Sequence, residues 1–123
     1  MRMTLLPKIR SKAIMQAPKT LNAQCSARIG TFLMQPCSPP DTNVMHHLDG
    51  VGGRGVSTKV SDLATIIVCH NCHRLLETPS PGESDALHRF GAAVAVQLLR
   101  ALVETQAQLV GAGIIEVKDG RIV

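Results

Sequence analysis

Four cysteines carry the first chemistry that this sequence offers. Cys69 and Cys72 are separated by two residues, and the tight turn between them points both sulfurs the same way, so the pair can bind one zinc ion. Cys25 and Cys37 supply a second pair of thiolates, although the eleven residues between them make a longer gap than a zinc knuckle has. Four buried thiols, or one pair in thiol exchange, are the alternatives. The pattern predicts a structural zinc site formed by all four cysteines.

Three histidines suggest a second kind of chemistry. His46 and His47 are adjacent in a predicted strand, so their side chains point to opposite faces. His73 directly follows Cys72 and falls in the first turn of a predicted helix. His46 and His73 could bind one metal ion while His47 takes a proton from an attacking water, as in metal-assisted phosphodiester hydrolysis. The alternative is that all three are surface imidazoles on a zinc-stabilised binding module.

Two further motifs are set aside because of their context. Residues 50–55 match the dinucleotide pattern G-x-G-x-x-G, but a second β-prone run follows where that pattern needs a helix. We interpret the glycines as a flexible turn, in which Arg54 and Lys59 can contact a phosphate backbone. Cys-x-x-Cys-His also attaches c-type haem, but we expect no secretory signal in a start interrupted by Pro7.

Composition favours a small domain with an anionic partner. The chain has 123 residues, a net charge of +4, a sequence pI near 9.2 and only 2% aromatic residues. One domain with so few aromatic side chains has a limited core, so we expect zinc to help hold the fold. No apolar stretch approaches the ~20 residues of a membrane-spanning helix. We therefore expect a cytoplasmic protein without a membrane partner, in which the cysteines stay reduced.

The predicted elements give an α+β fold. Residues 1–20 are predicted to be a basic arm, with one or two helical turns over residues 11–16. Its basic side chains either contact phosphates or belong to a solvated, partly disordered terminus; they are Arg2, Lys8, Arg10, Lys12 and Lys19. Residues 21–80 are predicted to be the zinc-bound core, with strands over residues 43–48 and 63–68 and a helix over residues 69–78.

Residues 81–123 are predicted to be a long helix and a short terminal hairpin. Ser80 to Glu83 has the form of a capping box with proline at the first helical position. The apolar periodicity that follows predicts one long helix to about residue 110. Beyond it, the residues around Asp119-Gly120 resemble the turn of a small hairpin.

The order of these residues resembles a known nuclease pattern. His46-His47-Leu48, then Asp62-Leu63, then Cys69-x-x-Cys72-His73 is similar to the HNH nucleases, in which two strands and a helix hold a catalytic metal ion. The wider spread from Cys25 to His73 more closely resembles a small phage and prophage nuclease family, the YbcO-like proteins. The resemblance covers residues 10–80 approximately, and the tail matches only as a long helix.

The resemblance implies a zinc-braced ββα-metal core and a metal-dependent endonuclease that acts on nucleic acid, with DNA as the expected substrate. It implies that His47 is the general base and that His46 and His73 bind a catalytic divalent ion, either Mg²⁺, Mn²⁺ or Zn²⁺. Asp62 stands at the middle HNH position, where most members carry asparagine. An ionised aspartate can only accept hydrogen bonds, for example from a histidine N–H.

Other functions stay open beside the endonuclease. The main alternative is a non-catalytic zinc module that binds nucleic acid or a protein, and a thiol redox protein is a third possibility. If the chain is a nuclease, Arg74 joins Arg54 and Lys59 as a weaker candidate for backbone contacts with nucleic acid. A homodimer is compatible with that role.

Overall fold

The computed structural model describes residues 8–48 and 60–123 and shows an α+β fold. In these residues, four α-helices pack around a two-stranded antiparallel sheet. The elements are α1 (Lys12–Thr20), β1 (Val44–His47), β2 (Thr65–Val68), α2 (His70–Glu77), α3 (Pro81–Arg89) and α4 (Gly91–Gly111). Two short 3₁₀ helices, Ile29–Leu33 and Pro40–Thr42, lie between α1 and β1.

The two faces of the sheet pack against different helices. One face carries His46, paired with Ile66, and contacts the core residues of α2 and α4. The other carries Met45, paired with Ile67, and contacts α1 and the last turns of α4. Since all four residues of β2 are buried, this strand lies at the centre of the fold. Because side chains alternate along a strand, His46 and His47 belong to opposite faces.

Helix α1 is longer than the one or two turns predicted from the sequence. The side chain of Ser11 caps it by accepting a hydrogen bond from the N–H of Ile14. The helix continues through Pro18, which has no N–H to donate to the carbonyl of Ile14, and Ile14, Ala17 and Pro18 are buried. Burial of this apolar face against β1 stabilises a helix that the sequence alone predicts only weakly.

The long helix predicted from residue 81 to about residue 110 is in fact two helices. Ser80 and Glu83 form the expected capping box at the start of α3, but α3 ends at Arg89 and α4 leaves it at an angle of 87°. Phe90 lies at this corner, and its ring packs on Phe32 with the centroids 5.6 Å apart. The bend lets α3 pack on the first 3₁₀ helix while α4 packs on β2.

The predicted terminal hairpin is also wrong. Among residues 114–123 no strand forms, although the N–H of Gly120 donates to the carbonyl of Val117 and closes a turn. Upstream of the turn, the N–H groups of Ile114 and Ile115 both donate to the carbonyl of Leu109. Ile114 and Ile115 pack against the core beside α1, so burial there replaces strand pairing.

Within the described part of the chain, no single helix has the length and apolar character needed to cross a membrane. Helices α3 and α4 meet those criteria of length and composition only when taken together, as a bent pair.

Candidate metal centres

The four cysteines that the sequence predicts as zinc ligands lie together in the fold. Their sulfur atoms are all within 4.8 Å of one another. Cys25, Cys69 and Cys72 are buried, and Cys37 is exposed. In a four-thiolate zinc site the Zn–S distances are about 2.3 Å, which places the sulfurs about 3.8 Å apart. Small side-chain movements would bring this cluster to that spacing, so the four cysteines can bind a structural metal such as zinc.

The first turn of α2 positions two of the sulfurs. Cys69 is the N-cap of α2, and its sulfur accepts a hydrogen bond from the N–H of Cys72 at 3.4 Å. The loop that carries Cys37 is tied to the same turn, because Ser38 Oγ accepts a hydrogen bond from the N–H of Asn71 at 3.1 Å. Metal binding here would therefore fix the start of α2.

Cys25 is held from the side of α4. Its carbonyl accepts a hydrogen bond from Arg28 at 3.1 Å. The Arg28 guanidinium also forms two hydrogen bonds with the Glu104 carboxylate, at 3.0 and 2.9 Å. This bidentate pair has the geometry that is strongest for arginine and carboxylate groups, and it connects the cysteine cluster to the longest helix.

The cysteine side chains are coupled through their protons. A hydrogen bond from Cys72 lowers the pKa of Cys25 to about 5, and the same bond raises the pKa of Cys72. Burial, together with the negative charge of Cys25, raises the pKa of Cys37 to about 12. A cation that binds all four sulfurs must therefore displace the protons that Cys37 and Cys72 keep, and this displacement makes metal binding depend on pH.

A second cluster consists of His46, His73 and Glu77. One ligand atom from each residue lies within 4.8 Å of the others, close enough for the three to hold one metal ion. Nδ1 of His46 is 3.2 Å from Oε1 of Glu77, and Nε2 of His73 is 3.7 Å from the same oxygen. The two imidazole centroids are 5.5 Å apart. His46 comes from β1, and the other two come from α2.

Glu77 was missed by the sequence analysis. It lies four residues after His73 and therefore on the same face of α2. That spacing is the only signal in the sequence that could have identified Glu77. By itself the signal is weak, because a glutamate near the end of a short helix is an ordinary surface residue. The approach of His46 from β1 distinguishes Glu77 from such a residue.

His47 takes part in a different interaction. Its Nε2 lies 2.9 Å from Oδ1 of Asp62, which is buried with 6% of its side chain exposed. Burial alone would favour the neutral carboxyl group, but hydrogen bonds from His47 and from the N–H of Ser11 hold the pKa of Asp62 below its ordinary value. An ionised carboxylate can only accept, so Nε2 of His47 carries the proton. The lone pair of neutral His47 is therefore on Nδ1.

Asp62 also ties the N-terminal segment to the core. Its Oδ2 accepts a hydrogen bond from the N–H of Ser11 at 2.7 Å, and its own N–H donates to the carbonyl of Ile9 at 2.9 Å. Nη1 of Arg10 lies 3.9 Å from Oδ1 of Asp62 and donates to the carbonyl of Val60. One carboxylate thus connects His47 to the start of α1.

A cavity of about 500 Å³ adjoins the histidine and glutamate cluster. His46 and Glu77 contribute to its wall, and the rest of the lining is apolar: Leu48, Leu76, Ala95, Leu98, Leu99 and Leu102. The cavity lies between α2 and α4, so the second candidate centre borders an apolar cleft.

Three basic residues are predicted to contact nucleic acid, and the structure describes one of them, Arg74. Arg54 and Lys59 lie outside the described residues, as does the glycine-rich turn. Both terminal nitrogens of Arg74 donate hydrogen bonds to the Glu83 carboxylate, each at 2.8 Å. Arg74 also donates to the side chain of Asn71. Its guanidinium joins α2 to α3, so the structure gives Arg74 a structural role.

Comparisons with protein-family models, with curated proteins and with solved structures found no match for this chain.

Proposed function

We propose that this protein is a metal-dependent endonuclease that hydrolyses phosphodiester bonds in nucleic acid, with DNA as the substrate. The observation that carries the proposal is the convergence of His46, His73 and Glu77 from a strand and a helix. His47 is the next residue of the same strand, and its tautomer is set by a buried carboxylate. It agrees with the resemblance of the sequence to the HNH nucleases.

His46, His73 and Glu77 are the residues that would hold the catalytic ion. Two imidazoles and one carboxylate form a mixed nitrogen and oxygen donor set that suits a first-row divalent metal. When bound, such an ion stabilises the negative charge that develops on the phosphate and on the leaving oxygen. Three protein ligands leave further positions for water and for phosphate oxygens.

His47 is the proposed general base. Because Asp62 accepts the Nε2 proton, Nδ1 presents a lone pair that can take a proton from the attacking water. Asp62 then faces the imidazolium that forms, and its negative charge stabilises that product. About a third of the His47 side chain, 30%, is exposed, so solvent reaches the ring. Asp62 holds the His47 ring in position through this hydrogen bond, the role that the asparagine of most HNH proteins is expected to have.

The cysteine cluster supports this centre through α2. Cys69 and Cys72 lie at the start of the helix, and His73 and Glu77 follow on the same eight-residue element. A metal bound by the four cysteines therefore fixes the position of α2 relative to the rest of the core. Zinc at this site would be structural, because four thiolates leave no open position for substrate.

Charge supports an anionic substrate. The net charge is +4, and Lys8, Arg10 and Lys12 surround the segment that Asp62 binds. Basic side chains near a hydrolytic centre position a phosphate backbone without reading its sequence. Arg54 and Lys59 remain predicted contacts of the same kind.

A plasmid-nicking assay tests the proposal. Zinc-loaded protein is incubated with supercoiled DNA and either Mg²⁺ or Mn²⁺, and His47→Ala is compared with the native chain. We expect cleavage to fall by about 10²-fold or more, the usual contribution of a general base. His88→Ala is the matched control, because His88 is exposed on α3 and its Nδ1 lies 2.9 Å from the helix carbonyl of Ser84. Cleavage should persist in that variant.

If the native chain cleaves neither single-stranded nor duplex DNA or RNA with any divalent ion, the endonuclease proposal fails. The zinc-stabilised binding module is then the better account of the fold. Bound zinc is expected in both cases, so zinc content alone does not separate them.

A further inference from the structure

The four sulfurs of the cysteine cluster differ in their access to solvent. Cys69 and Cys72 are fully buried, and Cys25 is 5% exposed. Cys37 is exposed and lies in the loop between the two 3₁₀ helices. A tetrahedral site with three ligands in the core and the fourth at the surface presents that fourth sulfur first to a reagent in solution.

A cavity of about 350 Å³ lies beside the cluster. Cys25 and Cys37 both contribute to its wall, whereas Cys69 and Cys72 do not. The other lining residues are Gln24, Arg28, Ser38, Pro39 and Pro40. Two of the four sulfurs therefore border one space that is large enough for a small polar molecule.

Arg28 adds a positive charge to the wall of this cavity. It interacts electrostatically with both Cys25 and Cys37, and 43% of its side chain is exposed. Its two hydrogen bonds to the Glu104 carboxylate keep the guanidinium in place. Reactive cysteines typically lie in partly exposed surroundings of this kind, beside an arginine or lysine side chain.

We propose that Cys37 is an oxidation site, at which hydrogen peroxide converts Cys37 and Cys25 to a disulfide and releases the structural metal. The Cys37 thiolate first attacks one peroxide oxygen. An S–O bond forms, the O–O bond breaks and hydroxide leaves, which produces a sulfenic acid. The Cys25 thiolate then attacks that sulfur, so that the S–S bond forms, the S–O bond breaks and a second hydroxide leaves.

The atoms and electrons of this reaction balance. The two thiolates lose two electrons in total, and the peroxide gains them. Two protons from solvent convert the two hydroxides to water. Hydrogen peroxide is therefore the only oxidant that the reaction needs.

The positions of the sulfurs favour Cys25 as the partner of Cys37. The two sulfurs lie within 4.8 Å of each other and face the same cavity. The loop that carries Cys37 can supply the remaining movement to a disulfide bond of about 2.05 Å. The sulfur of Cys69 is less available, because it accepts the N–H of Cys72 at the start of α2.

The disulfide would remove two of the four metal ligands. Cys69 and Cys72 alone form half of the tetrahedral shell that structural zinc takes, so the ion should leave. Its loss should also free the start of α2 and weaken metal binding by His73 and Glu77, a consequence that rests on the proposed function. A thiol reductant should reverse the disulfide and restore zinc binding.

Peroxide treatment of the full, zinc-loaded chain tests the proposal. Released zinc is measured with a chromogenic chelator, and the disulfide is mapped by peptide mass spectrometry. We expect zinc release together with a Cys25–Cys37 disulfide, and recovery of bound zinc after dithiothreitol and Zn²⁺ are added. These measurements do not depend on nuclease activity, so the oxidation site and the endonuclease proposal can fail separately.

Cys37→His separates the exposed thiol from its role as a ligand. Three cysteines and one histidine also form a structural zinc site, and zinc release by peroxide should slow by about 10-fold or more because the remaining thiols are buried. Met34→Leu is the matched control, since Met34 is 95% exposed in the same loop and is itself oxidisable. It should release zinc as the native chain does.

Alkylation of the native chain gives a test that needs no variant. With one equivalent of N-ethylmaleimide, Cys37 should be labelled before the other three cysteines. Earlier labelling of a buried cysteine would overturn the proposal, as would zinc that stays bound in excess peroxide. A mapped disulfide that excludes Cys37, or zinc release from Cys37→His at the native rate, would also overturn it.

Discussion

Asp62 contacts both His47 and Ser11 through separate oxygens of one carboxylate. Oδ1 lies 2.9 Å from Nε2 of His47, and Oδ2 lies 2.7 Å from the backbone nitrogen of Ser11. Both partners are donors, so the position requires two acceptor atoms. Asp62 therefore positions both His47, the proposed general base, and Ser11, the N-cap residue of α1.

Asp62→Asn tests this dual role, because asparagine has only one acceptor oxygen. If the oxygen faces Ser11, the amide NH₂ faces His47 and moves the imidazole proton to Nδ1. If it faces His47, the N–H of Ser11 loses its partner, at a cost of about 1–3 kcal/mol. We expect either a tautomer change seen by ¹⁵N NMR of the imidazole or a loss of stability to urea, with reduced DNA cleavage in the first case.

Asp85→Asn is the control for that substitution, because Asp85 is exposed on α3. It should change neither the imidazole spectrum nor the urea midpoint. An Asp62→Asn protein that keeps both native properties would show that the two hydrogen bonds do not form in solution.

Glu77→Gln tests the second metal centre. Glutamine preserves the shape of the side chain but removes the negative charge and provides a weaker ligand. We expect affinity for Mn²⁺, measured by isothermal titration on zinc-loaded protein, to fall by at least about 10-fold, as changes near metal ligands commonly do. Cleavage at limiting Mn²⁺ should fall in parallel.

Glu116→Gln is the matched control for Glu77→Gln, because Glu116 is exposed beyond the end of α4. It should bind Mn²⁺ as the native chain does. Equal Mn²⁺ affinity in Glu77→Gln and the native protein would remove Glu77 from the ligand set.

Removal of the structural metal should unfold the protein. The core is small and has few aromatic residues, and structural zinc in small domains contributes roughly 10 kcal/mol or more. We expect a strong chelator at neutral pH to abolish the helical circular dichroism signal. Zn²⁺ should restore it and Mg²⁺ should not, because thiolates prefer the softer ion.

Cys72→Ser should behave like the chelated protein, because Cys72 is fully buried among the other sulfurs. A chelated chain that still unfolds cooperatively at its original temperature would contradict the prediction. That result would favour the thiol redox interpretation.

Gly30→Ala should destabilise the loop between the first two cysteines. A Cβ atom at Gly30 would lie 2.8 Å from the carbonyl oxygen of Gln35 and 3.4 Å from Nδ2 of Asn71. The backbone must shift to admit it, so we expect a loss of about 1–3 kcal/mol in urea unfolding. Weaker zinc binding should accompany the loss, since this loop leads to Cys37.

Gly82→Ala is the same substitution at an open position, and we expect it to raise stability instead of lowering it. Nothing lies within 4 Å of a Cβ atom at Gly82, which is in the first turn of α3. Alanine there should stabilise the chain by about 0.4–1 kcal/mol. If both alanine variants shift stability in the same direction, the tight approach at Gly30 is not present in solution.

The sequence was sufficient to predict features that depend on neighbouring residues. The spacing of Cys69 and Cys72, the β-prone run before them and the capping box at Ser80 each specify local geometry, and the structure confirms the strands, the cap and the four-cysteine cluster. Basic composition predicted an anionic partner, and that inference is still a prediction.

Only the tertiary structure decided how distant segments meet. Glu77 joins His46 because β1 and α2 pack against the same interior, and Phe90, at the corner where α3 ends, packs on the distant Phe32. The dependence of α1 on Asp62 arises in the same way. Local spacing limits which side chains share one turn or one face, whereas contacts between remote segments depend on how the whole chain buries its apolar surface. That burial is a property of the complete core, which no short stretch of sequence specifies.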